Sequence, residues 1–445
     1  MPQVGAGARP SSGPRSRAVT PRQTFPGSGT DQFHLVDGAM RCEDVAIAEL
    51  AERFGTPLYV YSRASMEERF DVVRAAFGAD ARICYAVKAN PNLSVLRVFG
   101  ERGASFDVVS GGELARVQAA GFDTSEVVFA GVGKTRAEMD EALRAGILAF
   151  HVESAVEIEV LDDLARARGV RAPVALRLNP DVDVDTHAYI STGRKQDKFG
   201  LDLATAGRLV ERIAASSALR LRGYHVHLGS QLKDPAPYAH ALDRVEEFVD
   251  AAAVRAEGVE YFDVGGGFGI AYGAGGTACD VGAVAAAVVD RIRARGWRPT
   301  TEPGRFLVGD AGVLVTRVLA RKDGGDKGFL VCDAAMNDLI RPALYGAHHP
   351  VAAVVEPGRP SGPQPVDVVG PVCESGDFLA RSIALPPMEE GDLLAVLAAG
   401  AYGASMASNY NSRPRPAEVL VDGKDVTVCR RRETYADLYR AEIEA

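Results

Sequence analysis

The chain has 445 residues, of which 47% are hydrophobic and 24% charged, and its formal net charge is −9 at pH 7. This length predicts two domains, and the acidic balance argues against nucleic acid as a main partner. No apolar run approaches the roughly 18 residues that a membrane span needs. The six cysteines are scattered without CxxC spacing, which favours neither a disulfide framework nor a zinc site and fits the reducing cytoplasm.

Residues 1–32 are predicted to form a disordered tail. They are rich in arginine and proline and contain no acidic residue before Asp31, a composition that buries too little apolar surface to fold. A transit peptide is an alternative, because such peptides are poor in acids, although the prolines disfavour an amphipathic helix. Residues 33–58 contain a hairpin signal around Gly38 and are expected to join the C-terminal domain.

Residues 59–305 alternate short apolar strands with amphipathic helices. This alternation favours parallel strands, and eight of them predict a closed (β/α)8 TIM-like barrel of the α/β class. Another apolar segment, Pro57–Tyr61, is interpreted as a strand that precedes the first helix. The eight predicted strands are the one that ends at Lys88, Ser105–Val109, Val127–Ala130, Ile147–His151, Pro173–Leu178, Leu221–His227, Tyr261–Val264 and Pro299–Glu302.

Residues 306–445 follow a different pattern, in which apolar runs succeed one another without intervening helices. Turn signals such as Asp422-Gly423 separate some of these runs. The pattern predicts an antiparallel β domain, either a sandwich or a small barrel. Its predicted strands are Phe306–Leu319, Gly328–Asp333, Val366–Gly370, Leu393–Ala398, Glu418–Val421 and Val426–Cys429.

Polar residues and glycines stand at the ends of the predicted barrel strands. In a (β/α)8 barrel the catalytic groups come from the C-terminal ends of the strands, so these residues are expected to meet. Each one alone has an ordinary structural explanation, such as a helix N-cap, a salt-bridge partner or a tight turn. The set consists of Lys88, Asp107, the Gly131–Lys134 turn, Arg177, His227, Gly265–Gly267 and Glu302.

Together these residues supply what a pyridoxal 5'-phosphate site needs. Lys88 can form a Schiff base with the aldehyde if burial removes its proton. The N–H groups of Gly265–Gly267 and the Ser230 hydroxyl suit the phosphate. His227 can stack on the pyridine ring, and Glu302 can keep the ring nitrogen protonated, which makes the ring an electron sink. The candidates to orient the ring hydroxyl and the lysine are Asp107 and Arg177.

Five motifs in this order resemble those of the fold-type-III pyridoxal-phosphate decarboxylases. That family combines an alanine-racemase-like barrel with a β domain, and the resemblance runs from about residue 33 to the C-terminus. It implies a pyridoxal 5'-phosphate-dependent carboxy-lyase. The motifs are Tyr85-Ala-Val-Lys-Ala-Asn90, His227-Leu-Gly-Ser-Gln231, Asp263-Val-Gly-Gly-Gly-Phe268, Glu302-Pro-Gly-Arg305 and Cys373-Glu-Ser-Gly-Asp377.

Within this family, the sequence is most similar to the branch that converts meso-2,6-diaminopimelate to L-lysine and CO₂, the last step of lysine biosynthesis. The similarity rests on four further stretches, Thr186–Gly193, Asp197–Gly200, Asn337–Tyr345 and Gly400–Pro414. It implies a homodimer in which the active sites are shared across the interface.

The resemblance also implies a role for individual residues. Lys88 would hold the cofactor, Glu302 the ring nitrogen and His227 the ring face. Ser230, Gly265–Gly267 and Tyr402 would hold the phosphate. The substrate would be bound by Arg305, Arg341, Tyr345, Tyr402 and Glu374. The second subunit would supply Glu374 and also Cys373, the candidate donor of a proton to the substrate Cα.

Three other functions stay open. The first is a decarboxylase of another amino acid or of a carrier-bound aminoacyl group, against which the Arg341 and Tyr345 stretch argues. The second is an amino acid racemase, which a carboxylate at the ring nitrogen disfavours. The third is a non-catalytic cofactor-binding homologue, from which loss of Lys88 or Cys373 would be expected. His348 and His349 have no other metal ligands nearby in the sequence, so no required metal is predicted.

Overall fold

The computed structural model describes residues 23–25, 29–182, 198–251, 258–273, 275–324, 327–359 and 362–443. The chain begins with a small antiparallel sheet, which is followed by the helix Ile47–Phe54. Residues 23 and 24 of the predicted tail pair with Phe33–Val36 in this sheet, so the predicted tail boundary at residue 32 is wrong for them. Residues 1–22 lie outside the described part of the chain. The strands of the sheet are Gln23–Thr24, Phe33–Val36, Ala39–Cys42 and Val45–Ala46.

The predicted barrel is confirmed. Eight parallel strands close on themselves, and every predicted strand is present to within a few residues. Alternate strand residues belong to two buried clusters. Phe129 and Phe150 pack in the large cluster that contains the helix residues, whereas Val128, Ala149 and Ala175 belong to a small separate cluster. The strands are Arg82–Ala86, Ser105–Val108, Val127–Phe129, Ala149–Val152, Ala172–Arg177, Leu219–His225, Tyr261–Asp263 and Arg298–Thr301.

The helices around the barrel begin and end at residues suited to those positions. Thr135 and Glu138 form a capping box, in which each side chain accepts a backbone N–H of the other. Gly146 and Gly169 end two helices in the left-handed conformation that favours glycine. The barrel helices are Arg63–Phe77, Leu93–Glu101, Gly111–Ala120, Arg136–Ala145, Ala155–Arg168, Leu203–Ala214, Ala236–Ala251 and Val281–Ala294.

The strand Leu58–Ser62 belongs to the C-terminal sheet. It pairs antiparallel with Gly312–Asp323 and parallel with Ala417–Asp422. The predicted barrel boundary at residue 59 is therefore wrong, and the barrel begins with the helix at Arg63. The alternation of apolar and polar residues could not show to which sheet this strand belongs, because every residue of the strand is buried and both of its faces are covered.

The predicted C-terminal β domain is confirmed, with two exceptions to its antiparallel pairing. Gly328–Cys332 runs parallel to Gln364–Val369, and Leu58–Ser62 runs parallel to Ala417–Asp422. The N-terminal sheet packs on this domain, as predicted, since Met40 donates its N–H to the Val354 carbonyl at 2.7 Å. The remaining strands are Val351–Ala353, Phe378–Leu385, Leu393–Val396 and Asp425–Arg430, and the short helices are Arg305–Val308, Arg341–Tyr345 and Tyr435–Ile443.

One apolar core joins the two domains. It runs from barrel residues such as Phe99 and Phe268 to Leu330 and Leu394 of the β domain. The C-terminal ends of the barrel strands therefore face a fixed neighbour. Among the described residues, every helix is too short or too polar to cross a membrane.

Candidate active site

Lys88 lies directly after its barrel strand, in the single 3₁₀ turn Val87–Ala89. Its Nζ atom is 2.6 Å from Asp107 Oδ2 at the end of the next strand, and 35% of its side chain is exposed to the cavity. Burial alone would lower the pKa of Lys88, but the charges of Asp107 and Glu302 outweigh it and raise the pKa above its usual value. The expectation that burial removes the proton is wrong, because Asp107 keeps the amine charged.

Glu302 lies between two imidazoles that the sequence did not identify as site residues. Its carboxylate oxygens are 3.3 Å from His151 Nδ1 and 3.2 Å from His225 Nε2. Burial opposes the charge, yet the two histidines hold the pKa of Glu302 well below its usual range. A signal was present, because His151 was placed at a predicted strand end and His225 precedes His227 by two residues, on the same face of the strand.

His227 stays neutral at physiological pH. Burial lowers its pKa well below the usual value, and the charges of Arg177 and Lys88 lower it further. The imidazole Nδ1 accepts the Gly266 N–H at 3.3 Å. A neutral aromatic ring at this place suits stacking on a flat, charged heterocycle.

The glycine run Gly265–Gly267 requires glycine at each position for backbone reasons. A Cβ on Gly266 would collide with the Glu302 carbonyl oxygen, and a Cβ on Gly267 with the Gly229 carbonyl oxygen. Two of the three N–H groups expected to face a phosphate donate within the protein instead. Gly265 donates to Asp263 at 2.8 Å and Gly266 to His227. Gly267 is the residue of the run whose amide has no acceptor among the described residues.

A second group of polar residues is joined by hydrogen bonds around Tyr272. Arg305 donates to the Tyr272 hydroxyl at 2.7 Å and to Ser230 Oγ at 3.0 Å. Arg341 donates to the same Tyr272 hydroxyl at 3.0 Å and to His349 Nε2 at 2.8 Å. Burial and the charge of Arg341 lower the pKa of His349 to about 3, so its imidazole is a neutral acceptor. One phenol thus bridges two guanidinium groups.

Residues of both groups line one cavity of about 510 Å³, a size typical of small-molecule sites: Lys88 and His227 of the first, and Tyr272, Arg305 and Arg341 of the second. We call the end with Lys88, Asp107, His227 and Glu302 the proximal half. The end with Tyr272, Arg305, Arg341 and His349 is the distal half. Other predicted site residues that line the cavity are Ser230, Tyr345 and Tyr402.

Tyr402 is held against the Lys88 turn by its backbone. Its N–H donates to the Ala89 carbonyl at 2.8 Å, and its φ of 57° places it in the left-handed region. The guanidinium of Arg305 lies 4.9 Å from the centre of its ring. The β domain therefore contributes one wall of the cavity.

Comparisons with known proteins agree with this geometry. Residues 63–309 match the family model described as the pyridoxal binding domain of the pyridoxal-dependent decarboxylases. The chain is 50% identical to the diaminopimelate decarboxylase of Neisseria meningitidis serogroup B over 394 residues, 88% of this chain and 94% of the relative. It is 49% identical to that of Pseudomonas aeruginosa over 413 residues, 93% of this chain and 99% of the relative. The chain belongs to the diaminopimelate decarboxylase family.

A solved structure of the family has the same fold. The diaminopimelate decarboxylase of Helicobacter pylori, complexed with L-lysine, superposes with a TM-score of 0.85 at 37% identity and covers 89% of this chain and 99% of its own. The matched family model is pyridoxal-dependent, so the prediction of a pyridoxal 5'-phosphate-dependent carboxy-lyase is confirmed.

The residues at the proximal half fit that cofactor. The lysine for the aldehyde and the neutral imidazole for the ring face line one cavity. The ionised carboxylate for the ring nitrogen, Glu302, is buried close enough to both for its charge to act on their pKa values. The contacts of His151 and His225 with Glu302, at 3.3 and 3.2 Å, are long, so the carboxylate keeps capacity for a further donor. The roles assigned to these residues remain predictions.

Three predicted site residues of this diaminopimelate decarboxylase family member lie elsewhere in the single chain. Arg177 pairs with Glu153, with Nη1 2.8 Å from Oε1, rather than with Lys88. Cys373 is exposed, and both Cys373 and Glu374 line a separate groove on the β domain. Residues 183–197, which include most of the two motifs between Thr186 and Gly200, lie outside the described residues.

Proposed function

We propose that this protein decarboxylates meso-2,6-diaminopimelate to L-lysine and CO₂. The observation that carries the proposal is one cavity lined both by Lys88, which pairs with the buried Asp107, and by the two guanidinium groups of Arg305 and Arg341. The family membership and the L-lysine bound to the Helicobacter pylori relative support the same reaction.

In the proximal half, Lys88 would hold the aldehyde of pyridoxal 5'-phosphate and Glu302 its ring nitrogen. His227 would pack on the ring, while Ser230, Gly267 and Tyr402 would contact the phosphate. The chemistry that the cofactor supplies when bound is an electron sink for the pair of electrons that CO₂ leaves at Cα. Glu302 keeps its negative charge in a buried place, which is what a protonated ring nitrogen needs as a partner.

Asp107 would manage the proton of Lys88. The short contact between Lys88 Nζ and Asp107 Oδ2, 2.6 Å, holds one proton between them. Asp107 would thus orient Lys88 and stabilise its free, protonated form whenever the lysine is not attached to the cofactor.

In the distal half, Arg305 and Arg341 would bind the second carboxylate of diaminopimelate. Two guanidinium groups bridged by one phenol offer several N–H donors to a carboxylate. Ornithine and lysine have only an ammonium group at that end, and two nearby positive charges would repel it. Tyr345 lines the same end of the cavity. The distal half would therefore select diaminopimelate over the simpler diamino acids.

We further propose a cytoplasmic homodimer. Cys373 and Glu374 do not line the cavity of their own chain. Supplied by a second subunit, the thiol would return a proton to Cα, and Glu374 would meet the distal ammonium group of the substrate.

The test is an assay of the purified protein with added pyridoxal 5'-phosphate. Meso-diaminopimelate, ornithine, arginine and lysine are offered separately, and CO₂ and the amine product are measured. We expect CO₂ and L-lysine from meso-diaminopimelate alone. Turnover of ornithine or arginine at a comparable rate would contradict the proposed substrate. A bound-cofactor absorbance band without turnover of any of the four would favour a carrier-bound substrate or a non-catalytic protein.

A further inference from the structure

The buried cluster of His151, His225 and Glu302 contains two histidines that the proposed reaction does not use. Both imidazoles are almost fully buried, at 0% and 1% exposure. They stack on one another with ring centres 4.3 Å apart, and each faces a different oxygen of Glu302. Two imidazoles buried beside one carboxylate are costly unless they support that carboxylate.

Glu302 needs such support because other acidic groups surround it. Asp263 is fully buried on the adjacent barrel strand, and Asp107 is fully buried on the second strand in the other direction. Burial and the charge of Glu302 together raise the pKa of Asp263 well above its usual value, so Glu302 is the one of these two that stays ionised. The N–H groups of His151 and His225 favour the charged form of Glu302.

Tyr261 contacts the other nitrogen of His151. Its hydroxyl lies 3.0 Å from His151 Nε2. Burial raises the pKa of Tyr261 well above its usual value, so the phenol keeps its proton and can donate to Nε2. In the tautomer that accepts this hydrogen bond, the ring hydrogen lies on Nδ1, which is 3.3 Å from Glu302.

We propose that His151 and His225 are positioning residues that hold Glu302 as an oriented anion for the ring nitrogen of pyridoxal 5'-phosphate, with Tyr261 fixing the tautomer of His151. The inference rests on the proposed role of Glu302.

The same three groups, His151, His225 and Glu302, also have the composition of a two-histidine, one-carboxylate metal site, since their ligand atoms lie within 4.8 Å of one another. Metal analysis of the holoenzyme distinguishes the two, and one bound ion per chain would overturn the proposal.

The experiment compares two cofactors in variants of the full chain. One is pyridoxal 5'-phosphate, and the other is its analogue in which a C–H group replaces the ring nitrogen. His225→Leu and His151→Leu remove the imidazole donors, while His225→Gln and His151→Asn retain an N–H donor at the corresponding position. The dissociation constant of each cofactor is measured by absorbance titration of the apoenzyme.

We expect the leucine variants to bind pyridoxal 5'-phosphate about tenfold more weakly, which is about 1.4 kcal/mol, and to bind the analogue within twofold of wild type. The amide variants are expected to recover most of the lost affinity. In addition, with ¹⁵N-labelled cofactor, the ring-nitrogen chemical shift of His225→Leu is expected to move toward that of an unprotonated ring. Equal weakening for both cofactors would mean a purely structural role and would overturn the proposal.

Two further variants keep the result interpretable. Tyr261→Phe deletes one oxygen and preserves the shape of the core, so it tests the chain of contacts even if a leucine variant fails to fold. Tyr261→Phe is expected to weaken the binding of pyridoxal 5'-phosphate two- to fivefold and to leave the binding of the analogue unaffected. An equal effect on both cofactors would contradict the role of Tyr261.

Glu302→Gln tests the proposed function separately. If Glu302→Gln discriminates between the cofactors and the histidine variants do not, only the further inference fails.

Discussion

The two halves of the cavity are built differently. The proximal half comes from the ends of barrel strands, whose positions are fixed by backbone pairing with their neighbours on both sides. The distal half comes from a loop at Tyr272, two short helices that begin at Arg305 and Arg341, and His349. Under the proposed function, the strand-built half would carry the cofactor chemistry and the loop-built half would distinguish one substrate from another.

Removing Lys88 is expected to have the largest effect. Lys88→Ala deletes the amine that would hold the cofactor and frees the buried carboxylate of Asp107 from its partner. We predict a loss of turnover on the order of 10⁴-fold for every substrate. Steady-state assays and the absorbance of the bound cofactor measure it. The exposed Lys424→Ala is the matched control, and near-normal turnover by Lys88→Ala would contradict the proximal assignment.

Cys373→Ala separates the proposed proton return from cofactor binding. We predict that it keeps the absorbance of the bound cofactor and lowers kcat by about 10²-fold, the usual contribution of a positioned acid. Cys279→Ala, at a buried cysteine, provides the comparison. If kcat of Cys373→Ala equals that of wild type, the thiol has no role in the reaction.

Much of the proximal half could be predicted from the sequence. Strand periodicity brings Lys88, Asp107, His227 and Glu302 to one end of a barrel, and that arrangement needs no knowledge of side-chain contacts. Two features of the structure could not be predicted, for physical reasons. The charge of Lys88 depends on a 2.6 Å contact with Asp107 on another strand. The sheet to which Leu58–Ser62 belongs depends on its pairing partners, which a strand that is buried on both faces does not reveal.

The distal half was much less predictable. Arg305 and Arg341 were identified by resemblance alone, since no periodicity relates residues on separate short helices. Tyr272 lies in a loop rich in glycine and alanine, which gives no signal of a binding role. His349 was considered only as a metal ligand, and the sequence shows no other ligand near it. Their importance comes from one bridging hydroxyl and one accepted N–H, contacts that only the folded chain brings together.

Tyr272→Phe tests whether the distal half works as a unit. The hydroxyl accepts from both arginines, so its loss leaves the two charges without a shared partner. We predict that KM for meso-diaminopimelate rises about tenfold, with little change in kcat or in cofactor affinity. A lower KM would instead mean that the phenol competes with the substrate carboxylate.

A smaller difference between the halves is expected in their response to pH. Burial raises the pKa of Glu113, whose Oε2 accepts the Val109 N–H near the proximal half, to about 7. The folded state therefore binds a proton that the unfolded state releases above about pH 4.5, and the stabilisation is lost as pH rises toward 7. His349 in the distal half, with a pKa of about 3, stays neutral throughout.

Glu113→Gln should remove this pH dependence while keeping the acceptor for Val109. We predict that the melting temperature of the variant, relative to wild type, rises by about 2 °C between pH 5 and pH 8. Thermal denaturation at the two pH values measures it. A constant difference at both pH values would show that Glu113 does not titrate in this range.

The division between the halves is tested most directly by Arg341→Ala, with the exposed Arg321→Ala as control. Both variants are titrated with pyridoxal 5'-phosphate and assayed with meso-diaminopimelate. We predict that Arg341→Ala binds the cofactor as wild type does but loses about 10²-fold or more in kcat/KM, because one buried partner of the distal carboxylate is gone. Normal turnover of meso-diaminopimelate by Arg341→Ala would contradict the assignment of substrate recognition to the distal half.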